Sequence, residues 1–223
     1  MTTQLPPSPA EMVGTFDAEN GWITITAHVG GYEAGVTLPT IICTIERRSN
    51  GEAWVQVGEA FNTTTTFVDK APTTRGVNEY RATSESIART TTQSENLQIV
   101  TSELFGYIST GNNFSEVSRL NLNMTFVTTD GVEKTLHQVV DSPLPHETIG
   151  NFYTSTIACT AVLDPAINTV TELQNVALTR GPVLWRDPTG RRIFGSLSPI
   201  QGSQDWTELA TVSFTITRLD HKE

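Results

Sequence analysis

Near its C-terminal end the chain reads Ala210-Thr211-Val212-Ser213-Phe214-Thr215-Ile216-Thr217-Arg218-Leu219, so that apolar side chains alternate with threonine or serine. An alternation with a period of two is typical of a β-strand that buries one face. The same pattern recurs far upstream in Trp22-Ile23-Thr24-Ile25-Thr26 and in Thr40-Ile41-Ile42-Cys43-Thr44-Ile45-Glu46-Arg47. The sequence therefore predicts a mainly β protein.

The composition supports the same fold class. About one residue in six of the 223 is threonine, a β-branched residue that suits a pleated, half-buried surface. Hydrophobic residues make up 37% of the chain and charged residues only 17%. Low hydrophobicity without a high charge density does not indicate disorder. The length allows one large domain or two small ones.

The first group of predicted strands spans residues 21–100. After the segments already quoted comes Asn50-Gly51, a pair that takes positive φ readily in hairpin turns. Further strands are predicted over 53–58, 66–69 and 77–84. These are enough short strands for a β-sandwich. Residues 1–20 are Pro-rich and polar, and we interpret them as an extended N-terminal segment before that sandwich.

We assign residues 101–223 to a second domain. The strand pattern that leads into this domain begins near Asn96. One α-helix is predicted between Asp164-Pro165 and Gly181-Pro182, because the apolar residues between them lie at helical spacing. A hairpin over 183–197 follows, since Asp187-Pro188-Thr189-Gly190 fits a type I turn. The remaining strands are predicted over 97–101, 118–128, 135–140 and 153–163, with the alternating segment 210–219 last.

Charge and targeting signals exclude several classes of function. Fourteen basic and twenty-four acidic residues give a net charge of −10, which opposes groove-type or sequence-specific nucleic-acid binding. The first residues have no signal-peptide pattern, and no stretch of 18 apolar residues occurs, so we expect a soluble protein made in the cytoplasm without membrane insertion. Cys43 and Cys159 lie in apolar segments, and we expect two buried, reduced thiols.

A search for catalytic, cofactor-binding or metal-binding motifs finds none. The four histidines, at 28, 137, 146 and 221, are scattered, and the glycines of 30–35 have neither a following helix nor a Lys-Ser/Thr pair. The loop carboxylates Asp130, Asp141 and Glu147 are interpreted first as solvated acids. We therefore predict no enzymatic site, no cofactor and no metal.

Three features remain. Tyr80 has the setting of a sandwich tyrosine whose hydroxyl bonds back to the chain upstream, a structural role. Arg186, Arg191 and Arg192 surround what we expect to be an exposed turn, either as a solvated hairpin tip or as a contact with carboxylates of a neighbouring subunit. Trp206 is interpreted either as packing on its own sheet or as an exposed anchor for an interface or a sugar.

Two stretches resemble known families. Residues 21–100, with Ile45-Glu46-Arg47-Arg48-Ser49-Asn50-Gly51-Glu52-Ala53-Trp54 and Tyr80-Arg81-Ala82, resemble a fibronectin type III-like sandwich. Residues 101–223 resemble the C-terminal part of minor tail proteins from long-tailed, siphovirus-type bacteriophages. The segment that carries this likeness is Leu178-Thr179-Arg180-Gly181-Pro182-Val183-Leu184-Trp185-Arg186-Asp187-Pro188-Thr189-Gly190-Arg191-Arg192-Ile193-Phe194-Gly195-Ser196-Leu197, followed by Val212-Ser213-Phe214-Thr215-Ile216-Thr217-Arg218.

The resemblance implies a virion protein of the phage tail. Its second domain would be similar to the split β-barrel of distal tail proteins, which form a ring between the tail tube and the distal tip or baseplate and let DNA pass. Partners would be further copies in a hexamer or trimer, and other tail-tip, tail-tube and hub proteins. Ring contacts would come from 168–179, 183–197 and 209–219. The candidate subunit-interface residues are Arg186, Asp187, Arg191, Arg192, Phe194 and Trp206.

Two other classes stay open. A carbohydrate-binding or host-adhesion module would use exposed aromatic side chains such as Trp54 or Trp206. An enzyme or an accessory domain of an enzyme would need a pocket in which carboxylates such as Asp130 and Asp141 meet.

Overall fold

The computed structural model of the protein describes residues 5, 7, 10–31, 33–61, 64–120, 122–137, 146–179, 181–204 and 209–220. These residues form two β units that follow each other along the chain. The first unit contains β1 (Glu11–Asp17), β2 (Trp22–His28), β3 (Thr40–Ser49), β4 (Val55–Phe61), β5 (Thr65–Asp69), β6 (Arg75–Ser86), β7 (Thr91–Gln93) and β8 (Leu97–Ser102).

The second unit contains all the remaining elements. They are β9 (Gly106–Thr110), a 3-10 turn (Asn112–Phe114), β10 (Glu116–Leu120), β11 (Leu122–His137), β12 (His146–Leu163), α1 (Val170–Leu178), β13 (Val183–Arg186), β14 (Arg192–Leu197), β15 (Gln201–Gln204) and β16 (Ala210–Arg218). The mainly β fold with one α-helix, which the alternation and the threonine content predict, is confirmed.

The first unit is built from two antiparallel sheets. One has the order β1-β2-β5, and the other has the order β4-β3-β6, with β7 and β8 both paired to the far side of β6. The inward positions of β2, β3 and β6 alternate with outward threonine and charged residues, as the period of two requires. The core side chains of this unit include Ile23, Ile25, Cys43, Ile45 and Tyr80.

The first strand differs from our expectation. We interpreted residues 1–20 as a segment outside the sandwich, but β1 pairs with β2 along its whole length, from Glu11 opposite His28 to Asp17 opposite Trp22. The strand was missed because its outward face is exposed and its inward face contains Gly14. A Cβ at Gly14 would lie 2.7 Å from the Ile25 side chain, so only a glycine lets β1 approach the core this closely.

The second unit is one open antiparallel sheet with the order β10-β9-β13-β14-β16-β12-β11, and β15 is also paired to β16. Its buried cluster contains Ile108 of β9 and Leu120 of β10, near one end of the strand order, and Ile157 of β12 and Phe214 of β16, towards the other end. Trp185 is fully buried at the centre, with its ring 5.8 Å from that of Phe214 in an edge-on arrangement. The helix α1 contributes Leu173 to the same core.

Two predicted strands have different limits in the structure. The segment 118–128 was expected to be one strand, but it divides into β10 and β11, and Asn123 near the division has φ 41°. The segment predicted over 135–140 is the far part of β11 as far as His137, and 138–140 lie outside the described residues. β11 and β12 are therefore longer than the sequence pattern indicated.

The hairpin of β11 and β12 extends beyond the sheet. β12 pairs with β16 only over Thr156–Leu163, whereas its pairing with β11 continues to His146 opposite His137. We call residues 130–137 together with 146–155 the ribbon, because over this length the two strands have only each other as described pairing partners.

The helix begins later than Asp164-Pro165. Thr169 is the N-cap: its hydroxyl accepts a hydrogen bond from the Glu172 N–H at 3.2 Å, and the Glu172 carboxylate accepts one from the Thr169 N–H at 2.7 Å. The residues from Asp164 form a separate turn, in which the Ile167 N–H donates to the Asp164 carbonyl at 2.9 Å. The predicted helix, the hairpin 183–197 and the last strand are confirmed.

Within the described ranges, the structure has no helix of the length and apolarity that crossing a membrane requires.

Both thiols are predicted to be unreactive in the folded protein. Cys43 and Cys159 are free and buried, and burial raises the pKa of each thiol, that of Cys159 to about 12. Because the thiolate is the reactive form, a disulfide reagent at about pH 8 should modify neither residue in native buffer and both in denaturant. Rapid modification of either cysteine in native buffer would contradict this burial.

Candidate functional site

The turn of the β13–β14 hairpin is organised by a buried carboxylate. Asp187 has no exposed surface, and its Oδ1 accepts hydrogen bonds from the backbone N–H groups of Thr189 at 2.8 Å and Arg191 at 3.2 Å. Its Oδ2 forms an ion pair with Nε of Arg191 at 2.6 Å. The Gly190 N–H donates to the Asp187 carbonyl at 3.0 Å, which is the expected turn hydrogen bond.

Arg186, immediately before that turn, is also fully buried. Its guanidinium donates to the Gly21 carbonyl, to the Asn20 carbonyl at 3.1 Å and to Oγ of Ser109 at 2.9 Å, and it lies 5.2 Å from the centre of the Tyr107 ring. Burial lowers the pKa of Arg186 to about 10, and the nearby Asp69 favours its charged form. The side chain is therefore a buried cation whose carbonyl acceptors belong to the first unit.

A second buried cluster supports the surface of the first unit that receives the hairpin. Asp69 forms an ion pair with Nη1 of Arg47 at 2.6 Å and accepts a hydrogen bond from the Tyr80 hydroxyl at 2.7 Å. It also accepts one from the Ala71 N–H at 3.1 Å, which holds the start of the loop 70–74. Tyr80 was expected to bond to the chain a few residues upstream, and the acceptor proves to be this carboxylate on β5.

Further contacts cross between the two units at the hairpin. Arg192 donates to the Ala71 carbonyl at 2.8 Å, Arg75 donates to the Pro188 carbonyl at 2.9 Å, and the Thr73 hydroxyl donates to the Gly190 carbonyl at 2.9 Å. The Tyr107 hydroxyl donates to the Ala18 carbonyl at 2.7 Å. We call this set of contacts the junction. The expectation of an exposed hairpin turn is wrong, because the turn packs against the first unit.

The predicted interface residues differ in how much surface they leave for another subunit. Arg186 and Asp187 have none, since both are buried within the chain. The Arg191 side chain is 36% exposed, bonds to the Thr128 hydroxyl at 2.8 Å and lies 4.9 Å from the Phe126 ring centre. Arg192 also pairs with Glu52 at 3.2 Å.

The other two predicted interface residues are placed differently. Phe194 is partly buried, and its ring centre lies 5.3 Å from that of Phe114. Trp206 lies outside the described residues. An inter-subunit role for the hairpin stays a prediction, and the burial of Arg186 and Asp187 limits it to the remaining side chains.

Trp54, one of the aromatic residues considered for sugar binding, does not offer an open ring. The guanidinium carbon of Arg81 lies 4.2 Å from the ring centre and that of Arg48 lies 4.8 Å from it. Each arginine is held by an ion pair, Arg81 with Glu46 and Arg48 with Glu79. Cation–π contacts of this kind stabilise the sheet face and cover the ring.

The carboxylates considered for an enzyme are only partly described. Asp130 lies on β11 opposite Ser155, and Glu147 lies on β12 opposite Leu136. Asp141 lies outside the described residues. Over the described ranges, no three histidine, cysteine, aspartate or glutamate residues come together as a metal site would require.

Sequence reasoning missed a groove beside the hairpin. It has a volume of about 270 Å³ and includes Arg192 and Phe194, together with Tyr153 from β12 and Arg218 from β16. Tyr153 and Arg218 stand at the ends of predicted strands, but only the pairing of β12 with β16 brings these strands together. No local pattern in the sequence could have indicated that neighbourhood.

Comparison with known proteins identifies no relative: no protein-family model matches the chain, and no curated protein is similar to it.

Replacement of Arg186 by methionine should destabilise the protein strongly. The Arg186→Met variant leaves the Gly21 and Asn20 carbonyls and the Ser109 hydroxyl without their buried donor, and we expect a loss of about 3 kcal/mol in the free energy of unfolding. The control is Arg218→Met, which removes an exposed arginine and should change stability by less than about 0.5 kcal/mol. Equal urea midpoints for the two variants would contradict the role of Arg186.

A matched pair of glycine substitutions tests the close approach of the hairpin turn. A Cβ at Gly190 (φ 90°) would lie 2.2 Å from the Arg75 carbonyl oxygen, whereas a Cβ at Gly35 (φ 81°) would have nothing within 4 Å. Both alanine variants bear the cost of positive φ, about 1–2 kcal/mol. Gly190→Ala should lose about 2 kcal/mol more in urea unfolding, because backbone of the first unit must move. Similar losses would indicate that the turn does not pack against Arg75.

Proposed function

We propose that the chain is a structural protein of a bacteriophage tail tip, which forms a ring between the tail tube and the distal tip or baseplate and lets DNA pass. Its location would be the virion tail after synthesis in the host cytoplasm, and its neighbours would be tail-tube, tail-tip and hub proteins. The proposal rests on the resemblance of residues 101–223 to minor tail proteins and on the sheet edges described below.

The architecture of the first unit supports the fibronectin type III-like part of the proposal. β7 and β8 both pair with the same side of β6, so we count them as one strand position. The first unit then has three strands in one sheet (β1, β2 and β5) and four in the other (β4, β3, β6 and the β7–β8 position). Such sandwiches have this three-plus-four division. In the second unit, β10 at one edge of the sheet contacts β12 near the other edge. The sheet is therefore strongly curled, and this supports its interpretation as a split barrel.

The single observation that carries the ring proposal is the edge strand β11. It is 16 residues long, pairs with β12 on one side, and has no pairing strand on its other side among the described residues. Between the two register irregularities, Thr125–Val132 contains no proline or lysine, the residues that commonly protect an edge strand from pairing.

The ribbon gives a second reason for assembly. A two-stranded hairpin is only marginally stable in water, yet the β11–β12 pairing continues well past the last contact of β12 with β16. A neighbouring copy would give these strands a further partner. We infer that the surface of the neighbouring copy that covers β11 differs from the β11 edge itself; such a contact is heterologous, and repetition of it generates a closed ring when the rotation allows.

The net charge is compatible with passage of DNA. A ring of chains that each carry a net charge of −10 would repel DNA phosphates and would not hold DNA in place as a basic surface does. We infer that the bore of the ring is lined with acidic and neutral side chains.

Charge substitution on the β11 edge tests the ring. Val127 on β11 and Val100 on β8 are both exposed strand valines, at 66% and 72%. Light scattering and negative-stain imaging should give closed rings of one defined mass for the wild type and for Val100→Lys, and smaller species for Val127→Lys, because lysine opposes edge pairing. A monomer at every concentration, or rings formed equally well by both variants, would contradict assembly through this edge.

A further inference from the structure

Arg218 differs from every other arginine that the structure describes. Six of the others form ion pairs with carboxylates: Arg47, Arg48, Arg81, Arg89, Arg191 and Arg192. Arg75 and Arg186 donate to backbone carbonyls, and Arg119 lies over an aromatic ring. Arg218 is exposed at the end of β16 and makes no hydrogen bond, ion pair or ring contact with any described residue. In a chain with a net charge of −10, an uncommitted guanidinium is unusual.

Arg218 lies where its guanidinium group can contact a ligand. It lines the groove of about 270 Å³ at the base of the ribbon, together with Asp220, Ser155, Tyr153 and Phe194. Asp220 is also exposed and has no hydrogen-bond or ion-pair partner in the described part of the chain, and Arg218 and Asp220 do not pair with each other. The groove therefore presents one strong donor group and one strong acceptor group to solvent.

Tyr153 supplies an aromatic wall to the groove. Its side chain is 63% exposed, so the ring is open to a ligand. Desolvation and the neighbouring Asp130 on the adjacent strand raise the pKa of Tyr153, so the phenol stays neutral at physiological pH.

From these observations we propose that the groove binds a neutral saccharide unit of a glycan; that this glycan belongs to a bacterial surface rests on the proposed tail function. The apolar face of a pyranose ring packs on an aromatic side chain, while its hydroxyl groups accept hydrogen bonds from Arg218 and donate them to Asp220. Arg192 also lines the groove, but its side chain is only 11% exposed and is paired with Glu52, so the charges that face solvent are those of Arg218 and Asp220. These two charges cancel, which favours a neutral ligand over an acidic or a basic one. The volume lies just below the ~300–1,000 Å³ of pockets for drug-sized ligands and therefore suits a single sugar unit.

The groove also lies next to the junction, because Arg192 lines it and bonds to Ala71 of the first unit. The site is therefore built on a part of the molecule that is fixed by contacts from both units. A single sugar would bind weakly, and several copies of the chain in one assembly would increase the avidity of binding to a repetitive glycan. Binding by one chain does not depend on the ring.

The test is ligand-observed NMR on the full chain with methyl glycosides of glucose, galactose, mannose, N-acetylglucosamine and rhamnose, and with glucuronate as the acidic comparison. At least one neutral glycoside should bind with a millimolar Kd, with its strongest saturation transfer at the C–H protons of one ring face. Tyr153→Ala and Arg218→Ala should each weaken that binding at least about tenfold. Arg89→Ala is the control, because it removes an arginine that is 83% exposed and lies in the first unit.

Each remaining outcome contradicts the proposal. Absence of binding by all five neutral glycosides would overturn it, and so would tighter binding of glucuronate than of glucose. Binding that survives both Tyr153→Ala and Arg218→Ala would place the ligand elsewhere and would overturn this site. Both variants alter exposed side chains, so unchanged urea unfolding checks that they are folded. The same titration is carried out separately on monomeric and on assembled fractions. It therefore distinguishes a failure of this binding proposal from a failure of the ring proposal.

Discussion

The arrangement of the whole molecule depends on the buried guanidinium of Arg186. A buried cation is costly unless it is hydrogen-bonded, and Arg186 donates to Oγ of Ser109 in its own unit and to the Asn20 and Gly21 carbonyls at the turn between β1 and β2. β13 holds the arginine in the centre of the second sheet, and β1 and β2 hold the carbonyls at one end of the sandwich. Because neither group can be left unpaired, the two units have one stable relative position.

The same use of arginine recurs through the chain. Arg47 is buried against Asp69, and Arg48 and Arg81 cover Trp54 while they pair with glutamates on neighbouring strands. Six of the described arginines are therefore paired with carboxylates inside the protein or along its sheets. The excess of acidic groups remains at the surface, which makes the exterior more uniformly negative than the composition alone indicates.

How far the sequence could predict the structure follows from which interactions are local. Alternation along 22–26 or 210–219 is local, and so is the turn chemistry of Asp187-Pro188-Thr189-Gly190; these elements could be predicted correctly. β1 carries a weak pattern, because its burial depends on a glycine that lets the strand approach the core. The burial of Arg186 could not be predicted, since arginine is usually exposed and its acceptors lie about 165 residues away in the chain.

The candidate sites show the same limit. The sequence indicated either a solvated tip or a subunit contact for the three arginines of the hairpin, but their described partners belong to the same chain. Tyr153 and Arg218 become neighbours only through the order of the strands in the second sheet. The free edge of β11 likewise depends on sheet order, because nothing in its own sequence indicates which strand lies beside it.

The acceptors at the junction have a consequence for how this protein can diverge. The Asn20, Gly21, Ala71 and Pro188 groups that receive arginine side chains there are all backbone carbonyls. Every residue type provides the same carbonyl, so point changes at such positions preserve the acceptor as long as the backbone keeps its path. Insertions and deletions move it. Natural variants of this chain should therefore be constrained at the junction in loop length more than in residue identity, and an exchange of the first unit between variants should succeed only when these loop lengths match.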